Sequence, residues 1–561
     1  MIRHALVALV ALGAACGGGV QRVGSQPSWR SAGPDAGETA ASLSAAPAVQ
    51  AQTFTPTSEP AARYNEPARP PASSPLGDAV SAAVREAAAT AKLPEPTPDA
   101  RLARACTELA ELMPQGGALE VDLIQFVMHR QGLIEPVPRL LFMWAPVGEV
   151  DAVLEQLRPQ LADILGEGVR GRFGIGTAKH GGDGTAAIVF AYQTVGLSTS
   201  PIPRSVAAGG SVAIDAVIDP AYRDPELFVT RENGTTDRIA AVAGKRGAFR
   251  ATIPCGAHVG RQQVEIAASS ATGSTALANF PLWCGAEPPR SITIEPTLAG
   301  EASATAAETE QQLLALINRD RKAAGLPALA WDERVAAVSR AYSDEMRRTQ
   351  VVAHVSPTSG TAADRVRAAG IKTAAVLENL ARAYGAGEAH AGLMNSPGHR
   401  MNILSTAATH VGIGVVLDGA GTQRPTLYVT EVFIRIPPKV DRAKAADLVR
   451  ARIDQVRRVG VDPTLQRIAQ QLADGLAAGT SSDSLWPGAR KQLDALTAPY
   501  ARVYSVVTVA SELSDLDGKG LVGDQKPDMI GVGIAQGNHA EIGEGAIWIV
   551  ILMADRLPAR P

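Results

Sequence analysis

Two periodicities alternate along the chain. From residue 311 onward apolar positions recur every three to four residues: Leu313, Ile317 and Ala324 trace one helical face that stops at Gly325-Leu326-Pro327. Val335, Val338, Tyr342 and Met346 trace a second face, with Asp332 placed to cap it. Thr361 followed by Asp364 predicts a capped short helix that ends at Gly370. The period then shortens to strand-like runs over 411–417 and 427–434, joined by a glycine-rich turn at 419–421. Helices and paired strands from one continuous segment predict a layered α-β-α sandwich.

Residues 198–288 change character. Runs at 211–217, 227–230, 247–252 and 263–267 alternate at period two between Gly-rich turns, which predicts a small immunoglobulin-like β-sandwich. The closing pattern of the helical unit, apolar-Gly-apolar-Gly with a second strand behind it, occurs three times. It reads Phe173-Gly174-Ile175-Gly176, Val411-Gly412-Ile413-Gly414 and Ile530-Gly531-Val532-Gly533. Upstream, Asp99-Ala100-Arg101-Leu102 echoes Asp332-Glu333-Arg334-Val335. Two degenerate copies, at about 99–195 and 440–556, are therefore expected to flank an intact unit at about 308–436. In the first copy Gln160 stands where the central unit has His399.

The N-terminus follows other rules. A basic start and an apolar run over 5–15, too short to span a bilayer, predict an export signal in residues 1–16. The small residues before Cys16 resemble a bacterial lipobox, which implies diacylation of Cys16 and attachment to a membrane through that lipid. Residues 17–98, rich in Ala, Pro, Ser and Gly, read as a disordered tether. With 561 residues the chain exceeds one core, and a net charge of −3 argues against a nucleic-acid partner. Cys255 and Cys284 bracket the last strands of the sandwich, and in an exported protein they are expected to be bonded. Cys106 reads as a small buried hydrophobe.

Chemistry concentrates in the central unit. In order it holds Ala353-His354, Leu377-Glu378-Asn379, Asn395-Ser396-Pro397-Gly398-His399-Arg400-Met401-Asn402, and Thr409-His410-Val411-Gly412. Together these resemble the bacterial branch of the CAP superfamily, also called SCP-like: cysteine-rich secretory, antigen and pathogenesis-related proteins. The resemblance covers about residues 311–436. It implies a cleft with a His-Glu-Glu-His tetrad and carries His354, Glu378 and His399 into it. Ser396 stands in place of the second Glu, Leu377 where Gly normally precedes the first, and Leu393 where Trp is common.

Two imidazoles and a carboxylate suit a divalent metal such as zinc, and they equally suit a metal-free proton network or a polar cluster that pins loops. Asn379, Arg400 and Asn402 read as loop-fixing donors, His410 as structural, and Ser356 as part of a Ser-Pro turn. The acidic stretch at 515–518 with Asp524 lacks the full EF-hand ligand order and reads as a solvated turn. Three roles stay open. The first is a lipid-anchored protein of the outer membrane or cell surface that binds an envelope protein, polysaccharide or lipid. The second is a hydrolase with His354, Glu378 and His399 as catalytic trio, and the third is a spacer.

Overall fold

The computed structural model describes residues 52–67, 73–113, 119–165, 170–180, 184–256, 259–294, 305–419, 425–496 and 500–556. The expected export signal and Cys16 lie outside them. Over the described residues the chain is a mixed α and β assembly with several sheets.

Three of these sheets share one plan. In the central unit the two-residue strand Ala330–Trp331 pairs in parallel with His410–Asp418, which forms a hairpin with Thr426–Ile434, and Val376–Ala383 lies antiparallel along the far side. Upstream the same order runs Thr97–Pro98, Gly171–His180, Thr185–Thr194, Arg139–Pro146. Downstream it runs Gly460–Val461, Met529–His539, Gly543–Arg556, Tyr500–Ala510.

The repeated glycine pair has a single physical reason. A Cβ built at Gly412 would sit 2.2 Å from the backbone nitrogen of Ala336, and one at Gly414 would sit 2.1 Å from that of Arg340. The helix Glu333–Thr349 thus lies with its own backbone on the strand. Gly174 and Gly176 meet the nitrogens of Ala103 and Thr107 at 2.5 and 2.1 Å, and Gly531 and Gly533 meet Gln466 and Ala469 at 2.2 and 2.1 Å. Small hydroxyl residues complete the contact in the central unit, where Ser339 and Ser343 donate to the carbonyls of Gly412 and Gly414 at 2.8 and 2.9 Å.

The three helices also start alike. Asp99, Asp332 and Asp462 each cap with a carboxylate that accepts two backbone N–H groups of the first turn. On the other face of the central sheet the helices Ala306–Ala323 and Ala386–Asn395 contribute Leu313, Ile317 and Leu393 to a core with Ile413, Val415 and Phe433. The unit therefore has three layers, as its periodicity predicts. Among the described residues no helix is long and apolar enough to cross a membrane.

Between the upstream and central units stand two mainly antiparallel sheets that share one core. Ala241–Ala243, Ala248–Pro254, Ser211–Ile218 and Leu197–Thr199 form one, and Thr236–Ile239, Arg223–Thr230, Gly260–Ser270, Gly273–Cys284 and Ser205–Val206 form the other. Ile214 and Ile253 of the first pack with Val229, Ile266 and Phe280 of the second. The disulfide Cys255–Cys284 joins them, with its Cα atoms 5.4 Å apart. Cys106 is fully buried, and burial pushes its thiol pKa up.

The expectation of a disordered tether over 17–98 fails over the described residues 52–67 and 73–98. Gln52–Phe54 pairs with Ile292–Ile294, and Tyr64 is fully buried with its hydroxyl donating to Pro281 O at 2.7 Å. Pro75–Thr90 is a helix capped by Ser74, and its Val80, Ala83, Val84 and Ala88 join Leu141, Leu157 and Phe190 in the upstream core. An apolar face of alanine and valine at helical spacing was hidden by a composition that reads as low complexity. The upstream unit accordingly begins near residue 75 rather than 99.

Glycine substitutions separate contact from propensity. Gly414→Ala is expected to destabilise the central unit by about 3 kcal/mol or more, because helix and strand must part. Gly488→Ala, inside the helix Ser482–Asp494 where a Cβ meets nothing within 4 Å, is expected to stabilise by up to about 1 kcal/mol. Scanning calorimetry reads both, and shifts of the same sign would contradict this origin of the motif.

Candidate functional site

Three segments of the central unit meet at one end of its sheet. His354 lies in the loop after the helix Glu333–Thr349, which ends at Gln350 in a left-handed conformation. The Tyr342 hydroxyl, from that helix, donates to Ala353 O and pins the loop one residue before the histidine. Glu378 lies on the strand Val376–Ala383, and His399 on the short helix Pro397–Ile403. That helix is tied to the strand beside Glu378: Asn402 Nδ2 donates to Glu378 O at 3.1 Å and to Asn379 Oδ1 at 3.0 Å, and Asn379 Nδ2 donates to His399 O at 3.3 Å. The loop-fixing role expected of Asn379 and Asn402 is thus performed between a helix and a strand.

The trio converges. His354 Nδ1 is 2.8 Å from Glu378 Oε1, and the rings of His354 and His399 have centroids 6.4 Å apart. Arg365, from the helix Ala362–Ala368, donates to the other Glu378 oxygen and stacks its guanidinium 3.4 Å from the centroid of the Tyr342 ring. Both carboxylate oxygens are therefore engaged, which makes Glu378 the group that orients His354. Within the trio three ring nitrogens are buried without a hydrogen-bond partner among the described residues, His354 Nε2, His399 Nδ1 and His399 Nε2; elsewhere in the unit His390 Nδ1 is buried in the same way. His399 is wholly inaccessible, and burial, with the His354 charge adding to it, pushes its pKa down to about 3. Its imidazole is neutral near pH 7.

Other candidates are placed elsewhere. The Ser356 hydroxyl donates to Glu345 and accepts from Thr358 and Ser359 N–H at 2.9 and 3.0 Å, within a turn. His410 Nδ1 pairs with Thr409 Oγ1 at 2.9 Å, away from the trio. In the acidic stretch, Asp517 caps the helix Gly518–Val522. Arg400 Nε leaves the central unit altogether and donates to Gly234 O of the β-sandwich at 3.1 Å.

Sequence reasoning missed three charged groups. Arg365 lies on the short helix Ala362–Ala368, of which only the cap and the end were legible. Glu431 lies on Thr426–Ile434 and is buried, with Oε2 accepting from Asn379 Nδ2 at 3.0 Å and its pKa pushed up to about 7 by burial. Glu265, on the sandwich strand Gly260–Ser270, accepts from the Ser396 hydroxyl at 2.5 Å and from Gly398 N–H at 3.0 Å. Burial pushes its pKa to about 7 as well. The period-two alternation around Glu265 signals a solvated face; this face is covered by another unit.

The Glu431 proton gives a pH signature. Its folded pKa of about 7 stands above an ordinary value of 4.5, so the folded state loses stability as pH rises from about 4.5 through 7. Glu431→Gln holds the side chain neutral and is expected to gain about 2 kcal/mol on the parent protein between about pH 5 and about pH 8. Denaturant titrations at the two pH values measure this, and a difference that does not change with pH would contradict it.

A family model described as the cysteine-rich secretory protein family, CAP, matches residues 314–433. The uncharacterized protein YkwD of Bacillus subtilis (strain 168) is 36% identical over 112 residues, 20% of this chain and 44% of that protein. The uncharacterized membrane protein YlbC of the same organism is 36% identical over 108 residues, 19% of this chain and 31% of that protein. This chain thus spans less than half the length of either relative. A crystal structure of an extracellular protein containing an SCP domain from Bacillus anthracis (str. Ames) is 19% identical, with a TM-score of 0.22, and covers 43% of this chain and 86% of that one. Residues 314–433 are a domain of the cysteine-rich secretory protein (CAP) family, set within a longer chain.

Proposed function

We propose that the chain is an exported cell-envelope protein that binds rather than cleaves. In this reading its CAP domain holds a divalent cation such as zinc between His354 and His399, and its remaining units present surface to an envelope protein, polysaccharide or lipid. One observation carries the reading: three nitrogens of two facing imidazoles are buried with no partner among the described residues. Such nitrogens are costly to bury unless something from outside the chain meets them.

The donor set fits. Neutral imidazoles are ordinary zinc ligands, and rings whose centroids are 6.4 Å apart would close by about 1 Å to share one tetrahedral ion at about 2.0–2.1 Å from a nitrogen of each. His354 Nε2 and one His399 nitrogen would hold it, while Glu378, itself fixed by Arg365, keeps the proton on His354 Nδ1. A bound ion supplies positive charge that polarises an oxygen brought to it.

Hydrolysis is the second reading, favoured by the carboxylate-oriented His354, which is arranged as a general base would be. Against it, the hydroxyls of Ser356 and Ser396 both donate to carboxylates, so neither is presented as a nucleophile. The shared sheet plan and glycine pairs support reading the flanking segments as CAP-like units without reactive residues. The common core of two sheets supports an immunoglobulin-like character for 198–288. The N-terminal apolar run supports export, with lipid attachment at Cys16.

Metal analysis tests the cation site. Protein dialysed after exposure to zinc is expected to retain about one ion per chain and to melt higher than the same protein treated with chelator. His354→Ala and His399→Ala are expected to lose both properties, and Glu378→Gln to weaken binding by about 10–100-fold. A chain that takes up no zinc, or a His399→Ala variant that keeps it, would overturn the reading.

A further inference from the structure

The segments that carry His354 and His399 are covered by a different domain. The turn between the sandwich strands Gly260–Ser270 and Gly273–Cys284 lies on the His354 loop: a Cβ added at Gly273 would be 2.8 Å from His354 Cβ, and Val355 N–H donates to Thr272 O at 3.0 Å. On the other side Arg400 Nε donates to Gly234 O at 3.1 Å, and Asn279 Nδ2 donates to Asn395 O at 3.4 Å. The CAP-domain groups in these contacts all belong to residues 354–355 and 395–400, so each lies at or beside one of the two histidines.

Glu265 sits at the centre of this contact. It is fully buried, and its two oxygens accept from Ser396 and Gly398, both of the CAP domain and both within three residues of His399. A carboxylate on the outward face of a sheet strand is soluble when that face is free, and here it is stable when covered because two donors meet it. The same face carries Gln263 and Asn279, which hydrogen-bond each other. The contact is thus polar and hydrogen-bonded. Interfaces between domains that part and rejoin have this character, whereas permanent ones are apolar.

We propose that the β-sandwich is a lid on the histidine pair, latched by Glu265 on Ser396 and Gly398, and that a ligand of the pair enters when the two domains separate. The proposal rests on the reading of the histidine pair as a binding site and adds how that site is gated.

Carbethoxylation of the full chain with diethyl pyrocarbonate, mapped peptide by peptide, reads access to each imidazole. In the parent protein His399 is expected to react at least about tenfold more slowly than the part-exposed His539, as is His390, which is buried in the same domain and paired with Asp320. Glu265→Lys removes the latch, and His399 is then expected to react about tenfold faster or more while His390 stays slow; Glu265→Gln, which keeps one acceptor, should fall between. Unchanged His399 in Glu265→Lys, or His399 as fast as His539 in the parent, would overturn the lid.

Acceleration of His390 together with His399 would mean that the CAP domain itself had opened. Ser396→Ala then decides, since it removes one donor without burying a charge: faster His399 alone supports the lid, and an unchanged rate overturns it. Failure to bind zinc would leave all these rates as they are, so loss of the cation reading and loss of the lid are separable.

Discussion

A helix backbone resting on a strand backbone is the constraint on which this molecule is built. Wherever the helix crosses the hairpin strand, glycine is required because a single added carbon would meet main-chain atoms at 2.1–2.5 Å. The contact brings the helix Glu333–Thr349 close enough for Ser339 and Ser343 to bond the strand carbonyls, and that helix ends at Gln350 in a left-handed conformation. Its end sets the loop that carries His354. The site therefore depends on the motif at some distance: the loop position follows from the helix, and Tyr342 on the same helix both pins Ala353 and supports Arg365 beneath Glu378.

Polar groups then do within the site what apolar packing does elsewhere. Glu378 joins His354 to Arg365, while Asn379 and Asn402 join the His399 helix to the Glu378 strand and to the buried Glu431. Each of these groups would be costly to bury alone and is stabilised by the hydrogen bonds it makes to the others. His354 Nε2 and both ring nitrogens of His399 are left without a hydrogen-bond partner among the described residues, as are Arg365 Nε, Asn402 Oδ1 and Glu431 Oε1.

Much of this was legible from residue patterns, and what was not has a common cause. The caps at Asp332 and Thr361, the buried faces of Val335, Tyr342 and Met346, and the threefold glycine pattern all follow from local rules, and each is present as read. His354, Glu378 and His399 came from the resemblance and not from spacing, because nothing local says that residues so far apart in sequence will converge. The helix Pro75–Thr90 was missed because alanine-rich segments look alike whether or not a partner buries them. Glu265 was missed for a related reason. Alternation identifies the outward face of a strand, but it does not reveal a second domain resting on that face.

X-ray absorption at the zinc edge, on the full chain loaded with one equivalent of zinc, addresses the central claim most directly. Scattering from two imidazoles bound through nitrogens at about 2.0–2.1 Å is expected, and it is expected to disappear in His354→Ala, which does not retain the ion. A coordination shell without imidazole scattering, or one that the substitution leaves unchanged, would contradict the claim that the facing histidines form the site.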